Sequence, residues 1–205
     1  MYIVKIFFLL AILHVNLISL DKAFVEDEIL KKIAKKYKEP AKNRFYFLQK
    51  TLDKKKNMSD IEKLNSVNEF YNGVKYSSDK KLYNLSDYWA NPFEFLGKDR
   101  GDCEDYVISK YFALIYLGVN PKKLFFTYVK SKKSKQPHMV LTYFKKPRSQ
   151  PLVLDNLNRK ILLASKRKDL TPIYNFNPNS LKKSKMKKTH KKWDELKQNM
   201  KKGKI

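Results

Sequence analysis

The sequence has a single cysteine, Cys103, and very few arginines. A lone thiol excludes an intramolecular disulfide framework and any zinc site that needs several thiolates. Arginine supplies only five of the 45 basic side chains, and lysine supplies the rest. Because proteins that read nucleic-acid phosphates usually rely on arginine forks interleaved with aromatic side chains, the net charge of +25 indicates a solvated lysine surface instead. We therefore predict that the protein has no nucleic-acid partner.

The sequence also lacks a long hydrophobic run. The apolar stretch near its start, residues 6–13, is far shorter than the ~20 residues that a membrane-spanning helix needs. Lys5 precedes this stretch and polar residues follow it by Asp21, which is the pattern of a secretory signal. We predict a signal peptide or an uncleaved N-terminal anchor at residues 1–20, and hence an exported protein.

The composition allows one domain with a substantial core. Hydrophobic residues make up 42% of the 205-residue chain and aromatic residues 14%, which argues against global disorder. We assign this domain to residues 21–180. Residues 181–205 are rich in lysine and show only a short helical pattern around Trp193 and Leu196. We therefore predict a C-terminal tail that is mobile or lies on the surface.

The first part of the predicted domain is helical. Apolar residues recur at helical spacing between residues 25 and 72, and Ser59 is a suitable N-cap for the third helix of this region. The following segment, residues 85–97, is rich in aromatic side chains. Since Pro92 and Gly97 interrupt it, we predict a loop or short turns whose aromatic side chains form a hydrophobic plug under the functional site.

A further helix is predicted to begin at Cys103, because apolar residues recur at helical spacing from Val107, and Gly118 and Pro121 mark its end. Three strands are predicted to follow, at residues 124–130, 138–144 and 151–156. Residues 161–177 are predicted to form a short strand and a loop. Helices followed by an antiparallel meander indicate an α+β fold with the cysteine at a helix N-terminus.

Cys103, His138 and Asp155 are the candidate catalytic residues. His138 is the only histidine inside the predicted core, since His14 lies in the signal segment and His190 in the tail. If the strands that contain His138 and Asp155 pair antiparallel, these two residues lie side by side. The carboxylate can then fix the imidazole tautomer, and the helix dipole can stabilise a thiolate. This arrangement favours a nucleophilic triad, but a buried filler role for the cysteine and a structural role for the histidine stay open.

Three separated segments carry a resemblance to a known family. They are residues 88–119, which contain GDCEDY, residues 138–144, HMVLTYF, and residues 152–177, which contain LDN. Together they resemble the bacterial transglutaminase-like cysteine proteinases. The resemblance implies a papain/transglutaminase-like α+β fold, with an N-terminal helical lobe and a lobe that contains an antiparallel sheet. It also implies that Cys103 is the nucleophile, His138 the general base and Asp155 the orienting carboxylate.

The resemblance further implies a calcium cofactor. Members of the family bind Ca²⁺ through acidic residues that flank the nucleophile, which here are Asp102 and Glu104. Calcium takes six to eight oxygen ligands, so other groups, such as Asp105, would have to complete its shell. A bound dication would offset the repulsion between these carboxylates and the Cys103 thiolate. The alternative, that the carboxylates only cap the helix, stays open for Asp105.

The function implied by the resemblance is that of an exported, calcium-dependent cysteine endopeptidase. Its substrate would be the N-terminal region of a large surface adhesin, cut at a dialanine-type site, and cleavage would control adhesion and biofilm release. An inner-membrane receptor that responds to cyclic di-GMP would sequester the protease. Two alternatives stay open: acyl transfer to an amine by the same triad, and a non-catalytic basic protein that binds an acidic partner or membrane at the cell envelope.

Overall fold

The computed structural model describes residues 23–132, 137–179 and 187–205. The predicted signal segment, residues 1–20, lies outside the described residues. The described helices are α1 (Asp27–Tyr37), α2 (Glu39–Asp53), α3 (Asp60–Tyr71), α4 (Asp79–Tyr83), α5 (Pro92–Lys98), α6 (Cys103–Tyr116) and α7 (Lys187–Lys201). The described strands are β1 (Lys75–Tyr76), β2 (Arg100–Gly101), β3 (Leu124–Ser131), β4 (Pro137–Tyr143), β5 (Leu152–Leu154), β6 (Leu162–Leu163) and β7 (Leu170–Phe176). None of the helices in these ranges has the length and apolar character of a membrane span.

The N-terminal helical lobe contains α1, α2 and α3, and local sequence signals mark where these helices begin. The Ser59 hydroxyl accepts a hydrogen bond from the Glu62 N–H, and the Glu62 carboxylate accepts one from the Ser59 N–H at 3.1 Å. This capping box confirms the predicted N-cap of α3. Pro40 lies in the first turn of α2, where its missing N–H leaves no helical hydrogen bond unmade. The apolar face of α2, which includes Phe45 and Leu52, is buried in the core.

The segment predicted as a loop or short turns at residues 85–97 contains most of the helix α5, which the prediction missed. The Asn91 side chain explains the difference, because it accepts hydrogen bonds from the N–H groups of Phe93 and Glu94 and thereby caps the helix. Pro92 occupies the first turn, where proline is favoured. Most aromatic side chains of this segment are buried in the main core, as expected of a hydrophobic plug.

The second lobe is built on a five-stranded antiparallel sheet in the order β6-β5-β4-β3-β7. The side chains of Met139, Leu141 and Tyr143 on β4 belong to the main core, and α6 packs against this strand. Val129, Val140 and Val153 form a smaller apolar cluster of their own. Because successive side chains of a strand point to opposite faces, Val140 and Leu141 lie on different faces of the sheet.

Residues 170–176 form the edge strand β7, where the sequence analysis expects a loop. β7 pairs with β3, Phe176 lies opposite Phe126, and the register shifts next to the pair of Val129 and Pro172. An edge strand tolerates proline because the missing N–H can face solvent. Most side chains of β7 are also exposed, so the strand lacks the alternating apolar pattern that would have revealed it.

The C-terminal helix α7 packs on the core through Trp193, whose side chain is only 2% exposed. The indole ring stacks on Phe112 at a centroid distance of 5.5 Å and meets Phe126 edge-on. Leu196 is buried one helical turn further on. The expectation of a mobile tail is therefore wrong for residues 187–205, whereas the helical pattern predicted around Trp193 and Leu196 is confirmed as part of α7. The partners of Trp193 come from α6 and β3, so the lysine-rich sequence around it does not reveal them.

Candidate active site

Cys103 is the first residue of α6, as the sequence predicts. Asp102 precedes it as the N-cap residue, and its backbone N–H donates to the Asp105 carboxylate at 3.2 Å. The Cys103 thiol is partly buried and donates a hydrogen bond to the Glu104 carboxylate at 2.7 Å. The thiol therefore lies where the helix dipole favours an anion, but directly beside a carboxylate.

The surroundings of Cys103 oppose formation of a thiolate when no cation is bound. Burial raises the pKa of the Cys103 thiol well above its usual value, and the Glu104 and Asp102 carboxylates raise it further. The backbone N–H of Met139 hydrogen-bonds the sulfur and acts in the other direction. Met139 directly follows His138 on β4, so this contact brings the start of α6 next to the start of that strand.

His138 and Asp155 lie side by side, as predicted from the antiparallel pairing of their strands. The register of β4 and β5 places Leu141 opposite Leu154, and the His138 Nε2 atom lies 2.8 Å from Asp155 Oδ1. Both side chains are buried. With Nε2 bound to the carboxylate, the tautomer is restricted and Nδ1 is left as the ring nitrogen for proton transfer.

Arg167 completes the surroundings of Asp155, and the sequence analysis missed it. Its Nη2 atom donates to Asp155 Oδ2 at 2.6 Å, and its Nε and Nη2 atoms donate to Asp169 at 2.9 and 2.8 Å. Burial raises the pKa of Asp155, but hydrogen bonds from His138, Leu157 and Arg167 outweigh it and lower the pKa to about 2. Asp155 is therefore an anion at any pH at which the protein would work. The only hint in the sequence is an arginine among many lysines, since arginine is preferred for buried carboxylate pairs.

A cluster of carboxylates next to Cys103 could hold a cation. Carboxylate oxygens of Asp79, Asp102 and Asp105 lie within 4.8 Å of one another. Within the described residues, the Oδ1 atoms of Asp79 and Asp102 are buried without a hydrogen-bond partner. Burial raises the pKa of Asp102 to about 10, and the neighbouring Glu104 and Asp105 carboxylates add to the effect. Converging carboxylate oxygens that repel one another when ionised suit a hard divalent cation such as Ca²⁺, whose charge would offset the repulsion.

The two residues predicted as metal ligands occupy different parts of this cluster. Asp102 converges with Asp79 and Asp105, whereas Glu104 lies with Asp102 around the Cys103 thiol. Asp79 was missed in the sequence because it lies on the separate helix α4, far from GDCEDY in the chain. A cation ligated by Asp102 would thus be close to both groups of carboxylates and to the thiol.

Comparisons with known proteins agree with this site and fold. Residues 38–201 match the family model described as bacterial transglutaminase-like cysteine proteinase BTLCP, so the matched region extends through α7. Most of the predicted tail, residues 181–205, therefore lies within the region that matches the family. No curated protein sequence gives a significant match.

Solved structures of Legionella pneumophila LapG are similar to most of this chain. One is 38% identical, covers 87% of this chain and 99% of its own, and superposes with a TM-score of 0.74. An EGTA-treated form is 37% identical over 87% of this chain and 100% of its own, with a TM-score of 0.73. A calcium-bound form is 37% identical over 86% of this chain and 99% of its own, with a TM-score of 0.72. These likenesses agree in fold and extent with the family match.

Proposed function

The chain belongs to the bacterial transglutaminase-like cysteine proteinase family, and we propose that it is a calcium-dependent endopeptidase of the periplasm. Its catalytic residues in this proposal are Cys103, His138 and Asp155. The observation that carries the proposal is the buried 2.8 Å contact between His138 and Asp155, with the Cys103 sulfur held at the neighbouring residue of the same strand. A buried carboxylate that an arginine also holds suits a histidine that gains and releases a proton, because the carboxylate fixes the tautomer and stabilises the imidazolium.

The proposed reaction is that of a cysteine protease. His138 Nδ1 takes the proton of the Cys103 thiol, and the thiolate attacks the carbonyl carbon of the scissile peptide bond. Backbone N–H groups at the start of α6 stabilise the resulting oxyanion. The imidazolium then gives its proton to the departing amine, which leaves a thioester on Cys103. Water, activated by His138, hydrolyses the thioester and restores the thiol.

Asp155 and Arg167 keep the imidazole ready for both proton transfers. The Asp155 carboxylate fixes the ring through Nε2 and stabilises the positive charge that the ring gains. Arg167 holds the other oxygen of this carboxylate, so the carboxylate cannot rotate away from the ring without breaking a buried ion pair.

Calcium has a defined place in the proposal. Asp102 and Glu104, together with Asp79 and Asp105, would hold the ion. When bound, it would supply positive charge that offsets the carboxylates around Cys103 and would thereby favour the thiolate. The buried, unpartnered oxygens of Asp79 and Asp102 support this assignment, and a calcium-bound form exists for the similar Legionella protein.

We propose the substrate and the partner from the family resemblance. The substrate is the N-terminal region of a large surface adhesin, cut at a dialanine-type site, so that cleavage releases cells from a biofilm. An inner-membrane receptor that responds to cyclic di-GMP sequesters the protease. The chain reaches the periplasm through residues 1–20, which act as a signal peptide or an inner-membrane anchor.

Cleavage of an adhesin fragment tests the proposed activity. The purified protein is incubated with an N-terminal adhesin fragment that contains a dialanine, and with a control fragment in which both alanines are changed to arginine. We expect one cut in the first fragment, no cut in the control, and loss of nearly all activity in Cys103→Ser. A fluorescent primary amine is added in parallel. Incorporation of the amine without cleavage would contradict the proposal and favour the acyl-transfer alternative.

Chelation tests the calcium requirement. We expect EGTA to abolish cleavage and Ca²⁺ to restore it, while Mg²⁺ restores it poorly because it demands octahedral geometry and dehydrates reluctantly. Calcium should also raise the melting temperature, since a ligand that binds only the folded state stabilises it. Asp102→Asn and Glu104→Gln should each reduce both the recovery of cleavage by Ca²⁺ and the calcium-induced rise in melting temperature. Full activity in EGTA together with no calcium binding by calorimetry would mean that these carboxylates only cap α6.

A further inference from the structure

Lys110 is a buried charged residue that the proposed reaction does not use. It lies on α6, seven positions after Cys103, and is only 1% exposed. Lysine is almost never fully buried unless it is paired, because removing an ammonium group from water is costly. Lys110 therefore needs hydrogen-bond partners inside the protein, and these partners indicate its role.

Lys110 binds two asparagine side chains of the helical lobe. Its Nζ atom donates to Asn68 Oδ1 at 2.8 Å and to Asn72 Oδ1 at 2.7 Å. Asn68 lies on α3 and Asn72 directly follows that helix. A lysine amine donates hydrogen bonds to these amides, so each amide must turn its oxygen to Lys110 and its NH₂ group away.

The NH₂ groups of the two asparagines reach the segment that follows β5. Asn72 Nδ2 donates to the backbone carbonyl of Asp155 at 2.8 Å, and Asn68 Nδ2 donates to that of Arg159 at 3.0 Å. The Lys110 amine on α6 is thus connected, through Asn72 and Asn68, to both ends of the segment 155–159. This segment also contains the Leu157 N–H, which donates to Asp155 Oδ1 at 2.9 Å.

We propose that Lys110 is a positioning residue that sets, through Asn72, the place of Asp155 relative to the helix that carries Cys103. The inference rests on the proposed function, in which Asp155 orients His138. One helix then presents the nucleophile at its start and, two turns later, the amine that locates the orienting carboxylate. The bonds of His138 and Arg167 fix the carboxylate group, whereas Lys110 and Asn72 fix the backbone from which it projects.

The arrangement does not depend on the charge of the amine. Burial lowers the pKa of Lys110 to about 7, although the nearby Asp155 carboxylate partly opposes this. A protonated amine has three donors and a neutral amine has two. Since only Asn68 and Asn72 accept from it in this network, either form can make both bonds.

Lys110→Met is the direct test, because methionine keeps an unbranched side chain and removes both donors. Asn72→Ala keeps the Lys110 amine but removes the amide that joins it to the Asp155 carbonyl. Lys63→Met is the matched control, since Lys63 is another buried lysine of the helical lobe and lies outside the network. Two measurements do not require proteolysis: the rate at which iodoacetamide alkylates Cys103, the only thiol, across pH, and hydrogen exchange at the Leu157 N–H.

We expect both test variants to lose about 10- to 100-fold in kcat with little change in KM, because small misplacements of catalytic groups cost this much. Alkylation of Cys103 should slow near neutral pH, and exchange at Leu157 should become faster. The double variant should be no worse than the worse single variant, because both changes break one chain of contacts. Lys63→Met should leave all three measurements unchanged.

The proposal is overturned if the variants lose only stability. In that case alkylation of Cys103 and exchange at Leu157 match the wild type at an equal folded fraction. If Lys110→Met does not fold, Asn72→Ala decides alone, because Asn72 lies after the end of α3 and is only partly buried. A wild-type protein that cleaves no substrate, but whose alkylation profile changes in Lys110→Met, would contradict the proposed protease function and leave the positioning role intact.

Discussion

Removing Arg167 should destabilise the protein strongly and in a pH-dependent way. Arg167→Met leaves the Asp155 carboxylate buried without the guanidinium that donates to its Oδ2 atom. Removing one partner of a buried ion pair typically costs about 3–5 kcal/mol, because the remaining charge is left uncompensated. Because His138 and the Leu157 N–H still bind Asp155 Oδ1, we expect a loss at the lower end of this range, about 3 kcal/mol, in the free energy of unfolding at pH 7.

The pH dependence follows from the pKa of Asp155. Because this pKa is lowered from 3.8 to about 2, the group contributes about 2 kcal/mol of stability that is present above pH 3.8 and is lost as the pH falls toward 2. His138 accounts for the larger share of this lowering and Arg167 for a smaller one. The difference in stability between the wild type and Arg167→Met should therefore narrow on acidification, since a protonated Asp155 no longer needs the guanidinium.

Urea unfolding followed by tryptophan fluorescence at several pH values measures both effects. Asp169→Asn is the control, because Asp169 also binds Arg167 but its side chain is half exposed, and such pairs contribute at most about 1 kcal/mol. The reasoning would be refuted if Arg167→Met lowered the free energy of unfolding by less than about 1 kcal/mol. It would also be refuted if the difference in this free energy between the wild type and the variant did not change with pH.

The remaining predictions concern the triad, the acidic cluster and the C-terminal helix. Asp155→Asn should fold but lose up to about 10⁴-fold in kcat, because the imidazole tautomer is released; a silent change in a sensitive peptide assay would move the orienting role to Asn156. Asp79→Asn should weaken calcium binding in calorimetry, since it removes one carboxylate ligand, and an unchanged affinity would remove Asp79 from the site. Trp193→Ala should lower the free energy of unfolding by about 3–5 kcal/mol in urea, and a loss below about 1 kcal/mol would contradict the packing of α7.

Several features of the candidate site could be predicted from the sequence because they depend on local rules. The helix that begins at Cys103 follows from apolar spacing and from the glycine at its end. The contact between His138 and Asp155 follows from the order of two strands, since antiparallel neighbours place the start of one beside the end of the other. The scarcity of cysteine and histidine then leaves few candidates for the nucleophile and the base.

Other elements were missed because the groups that stabilise them are distant in sequence. β7 contains Pro172 and mostly exposed side chains, so only its pairing with β3 makes it a strand. For α7, the helical pattern around Trp193 and Leu196 was recognised but its packing on the core was not, because the rings that hold Trp193 belong to α6 and β3.

The tertiary structure alone decided which charged side chains leave the surface. Lys110 and Arg167 are two of 45 basic residues, and the sequence near each of them does not show which partners would allow its burial. The Asp79 carboxylate likewise lies near that of Asp102 only because the fold brings α4 close to the start of α6. A buried charge is stable only when partners from other segments replace the lost water, and those partners are brought together by the fold and not by the spacing of residues along the chain.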